Sequence, residues 1–397
     1  MVQPGPVSPS AKVPGITTYR DLLRAASQHR PKMLQRVGEL VRVESPTEDR
    51  EAVNRCVSLV EAWAQTAGGQ SRRHPLRRAG DLLVSRFGPS RSRAKPLMLL
   101  GHLDTVWPLG TLEKMPFRAR AGRAWGPGVL DMKTGVVMAF TAMELLRGRL
   151  TRPVILLLNS DEETGSQHSR ALTESLARKC AAVFVLEPGQ GLAGAYKTAR
   201  KGIAHYRLEV RGVAAHSGVD FAQGHSAVLE LGRQIERVSA FTDPSRGITV
   251  NAGVIGGGTR SNVVAAEAWA EFDVRIARAA DAEGMERRFQ SLRPVDGKCT
   301  LAVSGGLNRP PMERTPGTVA LFRSAAAMAA GLGFALQEAA TGGGSDGNFT
   351  SALGIPTLDG MGAVGEGAHA ATESILLDAL VPRTALLAAM IGDLTLA

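Results

Sequence analysis

Histidine and acidic residues recur along this 397-residue chain, after apolar runs or inside glycine-rich loops. His102 and Asp104 follow the apolar run at 96–101 and are two residues apart, so on an extended chain their side chains share a face. A neutral imidazole can bind a metal ion, and a neighbouring carboxylate can orient its ring. A structural His–Asp hydrogen bond is the alternative interpretation of this pair.

Further segments supply carboxylates. Asp131 stands where a glycine-rich loop turns into a helix, either as a helix cap or as a carboxylate that bridges two cations. Glu162 and Glu163 belong to a run of three acidic residues, which repel one another unless a cation compensates. One of them can bind a metal while the other moves protons, although a solvated acidic turn has the same composition. Glu187 ends another apolar run and is placed like a ligand, but a plain loop residue is the alternative.

His369 lies among small residues near the end of the chain, downstream of a glycine-rich run at 341–348. The backbone N–H groups of such a loop can bind an anion, whereas a flexible surface turn is the alternative. Together the segments offer two histidines and three carboxylates as ligands, and one further glutamate. This set fits two zinc ions with a bridging carboxylate and an open position for water.

The elements that must carry these residues alternate between helix and strand patterns. Buried strands are predicted at 96–101, 153–159 and 182–187, and helices at 19–43 and 133–147. Strands separated by helices predict an α/β domain with a mixed, largely parallel sheet flanked by helices. Functional groups of such sheets gather at the carboxyl ends of the strands.

Residues 201–310 follow a different pattern, in the order strand, helix, strand, strand, helix, strand. This order is typical of a ferredoxin-like α+β unit. We therefore predict a catalytic domain at 16–200 and 311–397 that is interrupted by an inserted domain at 201–310. Residues 1–15 are rich in proline and have no apolar core, so they predict a disordered tail rather than a secretory signal.

Composition limits the function classes. Lys and Arg total 47 against 37 Asp and Glu, and the formal net charge of +10 allows a nucleic-acid partner. Aromatic residues make up only 5%, which is poor for base stacking.

No apolar run is long enough to cross a membrane, and the three distant cysteines make no disulfide framework. We expect no nucleic-acid partner, no membrane partner and a cytoplasmic location.

The chain resembles the aminoacylase and carboxypeptidase family of di-zinc metallopeptidases. The likeness extends from about residue 30 to the end. Within the family, the bacterial glutamate carboxypeptidases that cleave folates are most similar, through the segments 101–128, 272–278 and 342–346. The matching motifs are GHLDTV at 101–106, GPGVLDMKTG at 126–135, DEETGS at 161–166, EPG at 187–189, VAAHSG at 213–218, GGGSD at 342–346 and His369.

The resemblance implies two Zn²⁺ ions, with Co²⁺ or Mn²⁺ as alternatives. Asp104 would orient His102, and Glu162 would be the general base. The peptide after Asp131 would be cis. The implied ligands are His102 and Glu187 for one zinc, Glu163 and His369 for the other, and Asp131 between the two.

The resemblance also implies that the inserted domain is a lid and dimerisation domain, so we expect a homodimer. His216 would steady the oxyanion at an active site, often that of the partner subunit; an ordinary strand-end histidine is the alternative. A guanidinium can bind a substrate carboxylate through two parallel hydrogen bonds, or form a surface ion pair. The implied substrate-binding residues are Asn262, Arg275, Arg309, Gly343 and Gly344.

These expectations predict a zinc-dependent hydrolase that releases a C-terminal amino acid from a small peptide or N-acyl amino acid. An N-acyl-amino-acid deacylase or a dipeptidase of the same family is the alternative, because these enzymes use the same metals and base and differ in a few pocket contacts. A basic nucleic-acid-binding protein with a dead site is a remote alternative, supported only by the net charge.

Overall fold

The computed structural model describes residues 18–393, so the tail predicted at 1–15 lies outside the described residues. The chain divides into two compact units. One takes in the described residues up to Thr198, Arg314–Ala340 and the described residues from Ser345, and the other takes in Ala199–Glu313 and Thr341–Gly344. The lid role of the second unit stays a prediction.

The first unit is built on a mixed sheet with Leu97–His102 at its centre. This strand runs parallel to both of its neighbours, whereas the two strands at one edge join antiparallel. The α/β class and the three predicted buried strands are confirmed. The strands in spatial order are Gln70–His74, Leu82–Phe87, Val154–Asn159, Leu97–His102, Ala182–Val185 and Thr357–Leu358.

Helices cover both faces of this sheet. Leu97 and Leu99 pack into one apolar cluster, and Met98 and Leu100 pack into another. Successive side chains of a strand point to opposite faces, so a strand buried on both sides reads as an unbroken apolar run. The helices of this unit are Tyr19–Gln28, Arg30–Arg42, Arg50–Thr66, Thr111–Lys114, Thr134–Leu145, Arg170–Ala177, Pro316–Gly331, Gly347–Ala352 and Leu377–Asp393.

Short strands complete the first unit. Ser374–Leu376 pairs with Arg123–Trp125 and brings the end of the chain beside the glycine-rich loop at 126–128. This small sheet contains Gly365–Glu366, Ser374–Leu376, Arg123–Trp125 and Arg118–Arg120, in that order. A two-stranded sheet pairs Tyr196–Arg200 with Glu338–Thr341, where the chain passes between the units.

The second unit has the predicted order of strand, helix, strand, strand, helix, strand. Neighbouring strands are antiparallel, and both helices contribute to one apolar cluster on one side of the sheet. Phe289 lies in that cluster, stacked on Tyr206 with 3.7 Å between ring centroids. The strands in spatial order are Thr249–Gly257, Glu267–Ile276, Gly202–Arg211 and Thr300–Arg309, and the helices are Ala227–Ser239 and Ala279–Gln290.

A membrane span would need a longer or more apolar helix than any found within residues 18–393.

Candidate metal centre

His102 is the last residue of the central strand, and its side chain is buried. Its Nδ1 lies 3.0 Å from the main-chain oxygen of Asp104 and 3.4 Å from Oδ1 of the same residue. Asp104 is itself fixed, because its Oδ2 accepts the Thr47 hydroxyl at 2.8 Å and the main-chain N–H of Glu163 at 3.1 Å. These contacts hold the ring so that Nε2 faces the other carboxylates.

Asp131 lies between two imidazoles. Its Oδ1 is 3.2 Å from Nε2 of His102, and its Oδ2 is 3.4 Å from Nε2 of His369. Each Nε2 also faces one glutamate: Glu187 Oε1 is 3.6 Å from His102, and Glu163 Oε2 is 3.2 Å from His369. The Asp131–Met132 peptide is cis. The five residues predicted as ligands therefore come together as two imidazole–glutamate pairs that share one aspartate.

The separations between these atoms fit bound metal ions. Two ligands at zinc–ligand distances of about 2.0–2.2 Å around one tetrahedral ion are about 3.4 Å apart. His102, Asp131 and Glu163 each offer a ligand atom, and these three atoms lie within 4.8 Å of one another. Oε1 of Glu163 is buried and has no hydrogen-bond partner within residues 18–393. Burial of such a group is costly unless a cation compensates, and a mixed nitrogen and oxygen set suits zinc.

The crowded charges shift the pKa values of the centre. Burial lowers the pKa of His102, but hydrogen bonds to its carboxylate neighbours outweigh burial and hold this pKa well above its usual range. Hydrogen bonds to Asp131 and Glu163 raise the pKa of His369 to about 10. Burial raises the pKa of Glu163. The carboxylates therefore favour a positive charge at each imidazole, carried either by a proton or by a metal ion.

Glu162 lies in the short 3₁₀ turn Glu162–Thr164, which follows the carboxyl end of the strand Val154–Asn159. It is partly exposed and directly precedes Glu163. Glu163 faces His369, whereas Glu162 is open to solvent on part of its surface. The role of general base stays a prediction.

Sequence reasoning missed several residues that hold these segments. Asp346 accepts the side-chain N–H of Asn159 at 2.6 Å and the hydroxyl of Ser166, and so anchors both ends of the acidic loop. Glu373 is buried and accepts main-chain N–H groups of the loop that carries Asp131. Asp346 stands in the GGGSD motif and Glu373 lies four residues after His369. Their partners in these bonds are 180 or more residues away, and no local pattern signals such a contact.

The remaining predicted site residues all lie in the second unit. His216 is exposed, and its Nδ1 accepts the N–H of Gly218 at 3.1 Å. The N–H of Ser217 donates to the main-chain oxygen of Asn262 at 3.0 Å, so His216 and Asn262 are close together. The predicted residues in this unit are His216, Asn262, Arg275, Arg309, Gly343 and Gly344.

The predicted arginines have different surroundings. Arg275 binds Asp273 through two hydrogen bonds, from Nε at 2.7 Å and from Nη2 at 2.9 Å. This is the ion pair that the sequence left open as an alternative. Arg309 is buried, and a Cβ placed on Gly344 would come within 3.0 Å of its side chain. Arg200 Nη1 donates to the main-chain oxygens of Gly343 and Gly344 at 3.3 and 3.0 Å, which fixes the glycine loop.

Comparison with known proteins gives matches over most of the chain. The family described as "Peptidase family M20/M25/M40" matches residues 98–393. Carboxypeptidase G2 from Pseudomonas sp. (strain RS-16) is 29% identical over 385 residues, which cover 94% of this chain and 92% of the relative. Succinyl-diaminopimelate desuccinylase from Verminephrobacter eiseniae (strain EF01-2) is 29% identical over 310 residues, or 72% and 76% of the two chains.

Solved structures share the fold. Aminopeptidase PepT from Bacillus cereus superposes with a TM-score of 0.75 at 20% identity, over 92% of this chain and 98% of that structure. At this identity the likeness concerns the fold alone.

Proposed function

Because the chain belongs to peptidase family M20/M25/M40, we propose that it is a carboxypeptidase that cleaves the amide bond before a C-terminal amino acid. Membership makes the protein a hydrolase of the metallopeptidase class, as its motifs predicted. The family is typically metal-dependent, and its peptidases act on small peptides. The released amino acid, the exact metal and the number of ions belong to the proposal.

The observation that carries the proposal is Asp131, which lies between two imidazole nitrogens that each face a glutamate. His102 and Glu187 would hold one zinc ion, and His369 and Glu163 would hold the other. When bound, a pair of divalent ions lowers the pKa of water and polarises the carbonyl under attack. A free thiol or hydroxyl nucleophile is not needed for such a reaction.

The protein's own residues would then move the proton and hold the ligands in place. Glu162 would accept a proton from the attacking water and deliver it to the leaving amine nitrogen. Such general acid–base steps typically contribute about 10²–10⁴ in rate. Asp104 would keep Nδ1 of His102 hydrogen-bonded, so that Nε2 stays directed at the cation.

Residues of the second unit would bind the substrate. His216 would steady the oxyanion. Arg309 and Asn262 are candidates for the C-terminal carboxylate, since a guanidinium matches a carboxylate in shape and charge. Arg275 would have to share its guanidinium with Asp273. The N–H groups of Gly343 and Gly344 would supply further donors.

We assign glutamate as the leading C-terminal residue because the motifs resemble those of bacterial glutamate carboxypeptidases. The relative named carboxypeptidase G2, which matches over nearly the whole of both chains, supports the carboxypeptidase activity. The alternative is an N-acyl-amino-acid deacylase, which the desuccinylase relative supports over a smaller share of the chain. A homodimer and a cytoplasmic location stay predictions.

A substrate panel tests the proposal. Purified protein, stripped with a chelator and reloaded with Zn²⁺, is offered peptidyl, N-aroyl and N-acetyl derivatives of glutamate, aspartate and neutral amino acids. We expect metal-restored cleavage, fastest for peptidyl and N-aroyl glutamates. Faster cleavage of acetylated amino acids would favour the deacylase. No cleavage of any member by zinc-loaded protein would contradict both.

A further inference from the structure

We propose that Glu373 is a positioning residue of the metal centre, where it joins the loop of Asp131 to the segment of His369. The inference rests on the proposed function, because it concerns the same metal centre. It is carried by contacts that lie entirely within the first unit.

Both carboxylate oxygens of Glu373 accept N–H donors. Oε1 accepts the main-chain N–H of Leu130 at 2.8 Å and that of Asp131 at 3.0 Å. Oε2 accepts the main-chain N–H of Gly128 at 2.8 Å and the indole N–H of Trp107 at 3.0 Å. The side chain is fully buried. Four charge-assisted hydrogen bonds in a buried place leave this carboxylate little freedom to move.

Glu373 also belongs to the turn that presents His369. Its own N–H donates to the Ala370 oxygen at 2.9 Å, and the N–H of Ala370 donates to the Gly367 oxygen at 2.8 Å. The strand that starts at Ser374 then pairs with Arg123–Trp125, directly before the loop that carries Asp131. Glu373 is therefore a buried side chain that joins the segment of His369 directly to the loop of Asp131.

The tie matters because the two ligands must keep their spacing. His369 Nε2 and Asp131 Oδ2 are 3.4 Å apart, close to the separation that one shared metal ion requires. A movement of either loop by a fraction of an ångström would separate them. Since the oxygens of Glu373 face N–H donors, Glu373 acts through Asp131 rather than as a ligand.

Titration of chelator-stripped protein with Co²⁺ tests the proposal, read by competition with a chromophoric chelator and by the visible absorption of bound Co²⁺. Glu373→Gln keeps the size of the side chain but turns an N–H donor toward main-chain N–H groups. We expect Co²⁺ affinity to fall about 10–100-fold, the usual loss for residues that orient ligands, with an altered absorption band. Far-UV circular dichroism checks that the variant is folded.

Two further variants complete the test. Trp107→Phe removes one of the four donors, so we expect Co²⁺ affinity to fall, but by less than in Glu373→Gln. Glu366→Gln is the matched control: this exposed carboxylate lies in the same segment and pairs with Arg123 at 2.5 Å. We expect Glu366→Gln to bind Co²⁺ as the wild type does.

The outcomes separate the two proposals. Wild-type affinity and absorption in Glu373→Gln would overturn the positioning role. If Glu373→Gln does not fold, unchanged Co²⁺ affinity in Trp107→Phe would overturn it instead. A wild-type protein that binds no Co²⁺ would contradict the proposed function itself.

Discussion

Asp131 has an imidazole within 3.4 Å of each carboxylate oxygen. Burial strengthens its interaction with His102, whereas His369 is half exposed. Burial would raise the pKa of Asp131, but its hydrogen bonds to His102 and His369 lower it below the usual range. The same contacts raise the pKa of both imidazoles. Protons and metal ions therefore compete for the same two nitrogens.

This competition predicts a pH dependence of metal binding. An imidazole whose pKa is raised, to about 10 for His369, carries a proton at pH 7, but only the neutral ring can bind a metal. Metal uptake at pH 7 should release about one proton per imidazole, and the apparent affinity should increase as pH rises toward 10. Calorimetric Zn²⁺ titrations in two buffers of different ionisation enthalpy measure the release. Identical heats in both buffers would contradict the prediction.

At this scale the sequence indicated the ligand types and, in Asp104, one residue that orients a ligand, but not the other residues that hold the ligands in place. The histidines and carboxylates stand at strand ends and in short motifs, so their convergence could be predicted. Thr47, Asp346 and Glu373 could not, because their contacts join segments 57 or more residues apart. Glu373 in particular binds main-chain N–H groups. Every residue except proline has such a group, so the residue types of the partners do not indicate this contact.

At the scale of elements, strand ends position the centre. His102 ends the central strand, and Glu187 follows the neighbouring strand Ala182–Val185. Parallel strands bring their carboxyl ends to one edge of the sheet, so these ligands become neighbours. The apolar runs made this arrangement predictable.

The predicted helix at 19–43 was wrong in one respect. It is two helices, Tyr19–Gln28 and Arg30–Arg42, with His29 between them. Pro31 lies in the first turn of the second helix, where its missing N–H costs nothing, whereas it would break the hydrogen bonding of a continuous helix. Pro31 is visible in the sequence, so a break in the helix at this point could have been predicted.

The helix Thr134–Leu145 packs against the strand end so closely that Gly135 allows no side chain. A Cβ there would lie 2.2 Å from the main-chain oxygen of Leu186, the residue before Glu187. Gly135→Ala should therefore destabilise the protein by about 1–3 kcal/mol, as overpacking usually does, and weaken metal binding. Urea denaturation and Zn²⁺ titration measure the two effects.

Gly232→Ala is the matched control, because Gly232 lies in the helix Ala227–Ser239 and a Cβ there meets nothing within 4 Å. Alanine has a higher helix propensity than glycine, so we expect unchanged or slightly higher stability, by up to about 1 kcal/mol. Equal urea midpoints for the two variants would show that the Gly135 contact is not critical.

At the scale of the whole molecule, the second unit offers an edge for association. The strand Thr249–Gly257 is at the edge of its sheet, and it exposes Val254 and Ile255 by 50% and 64%. Exposed apolar edge strands favour pairing with another chain. The predicted order of elements in this unit was found. The surface that faces a partner could not be predicted, because it depends on contacts with a second chain.

We therefore expect a homodimer of about twice the chain mass of 41.9 kDa. Light scattering after size exclusion measures the mass. Ile255→Lys should give a monomer, because a charge on an exposed edge opposes pairing. Val295→Lys, at another exposed apolar residue of the same unit, should leave the mass unchanged. A monomeric wild type would contradict the expectation and the role of His216 in a partner's site.

The central claim is that this protein hydrolyses amides at a metal centre where Glu162 moves the proton. The most direct measurement compares the Zn²⁺ binding and the turnover of Glu162→Gln with those of the wild type. Glu174→Gln is the control, because Glu174 pairs with Arg170 within the helix Arg170–Ala177. We predict two Zn²⁺ ions per chain with equal affinity in all three proteins. Turnover of Glu162→Gln alone should fall by about 10²–10⁴ or more. Wild-type turnover in Glu162→Gln, or metal-independent turnover in the wild type, would contradict the claim.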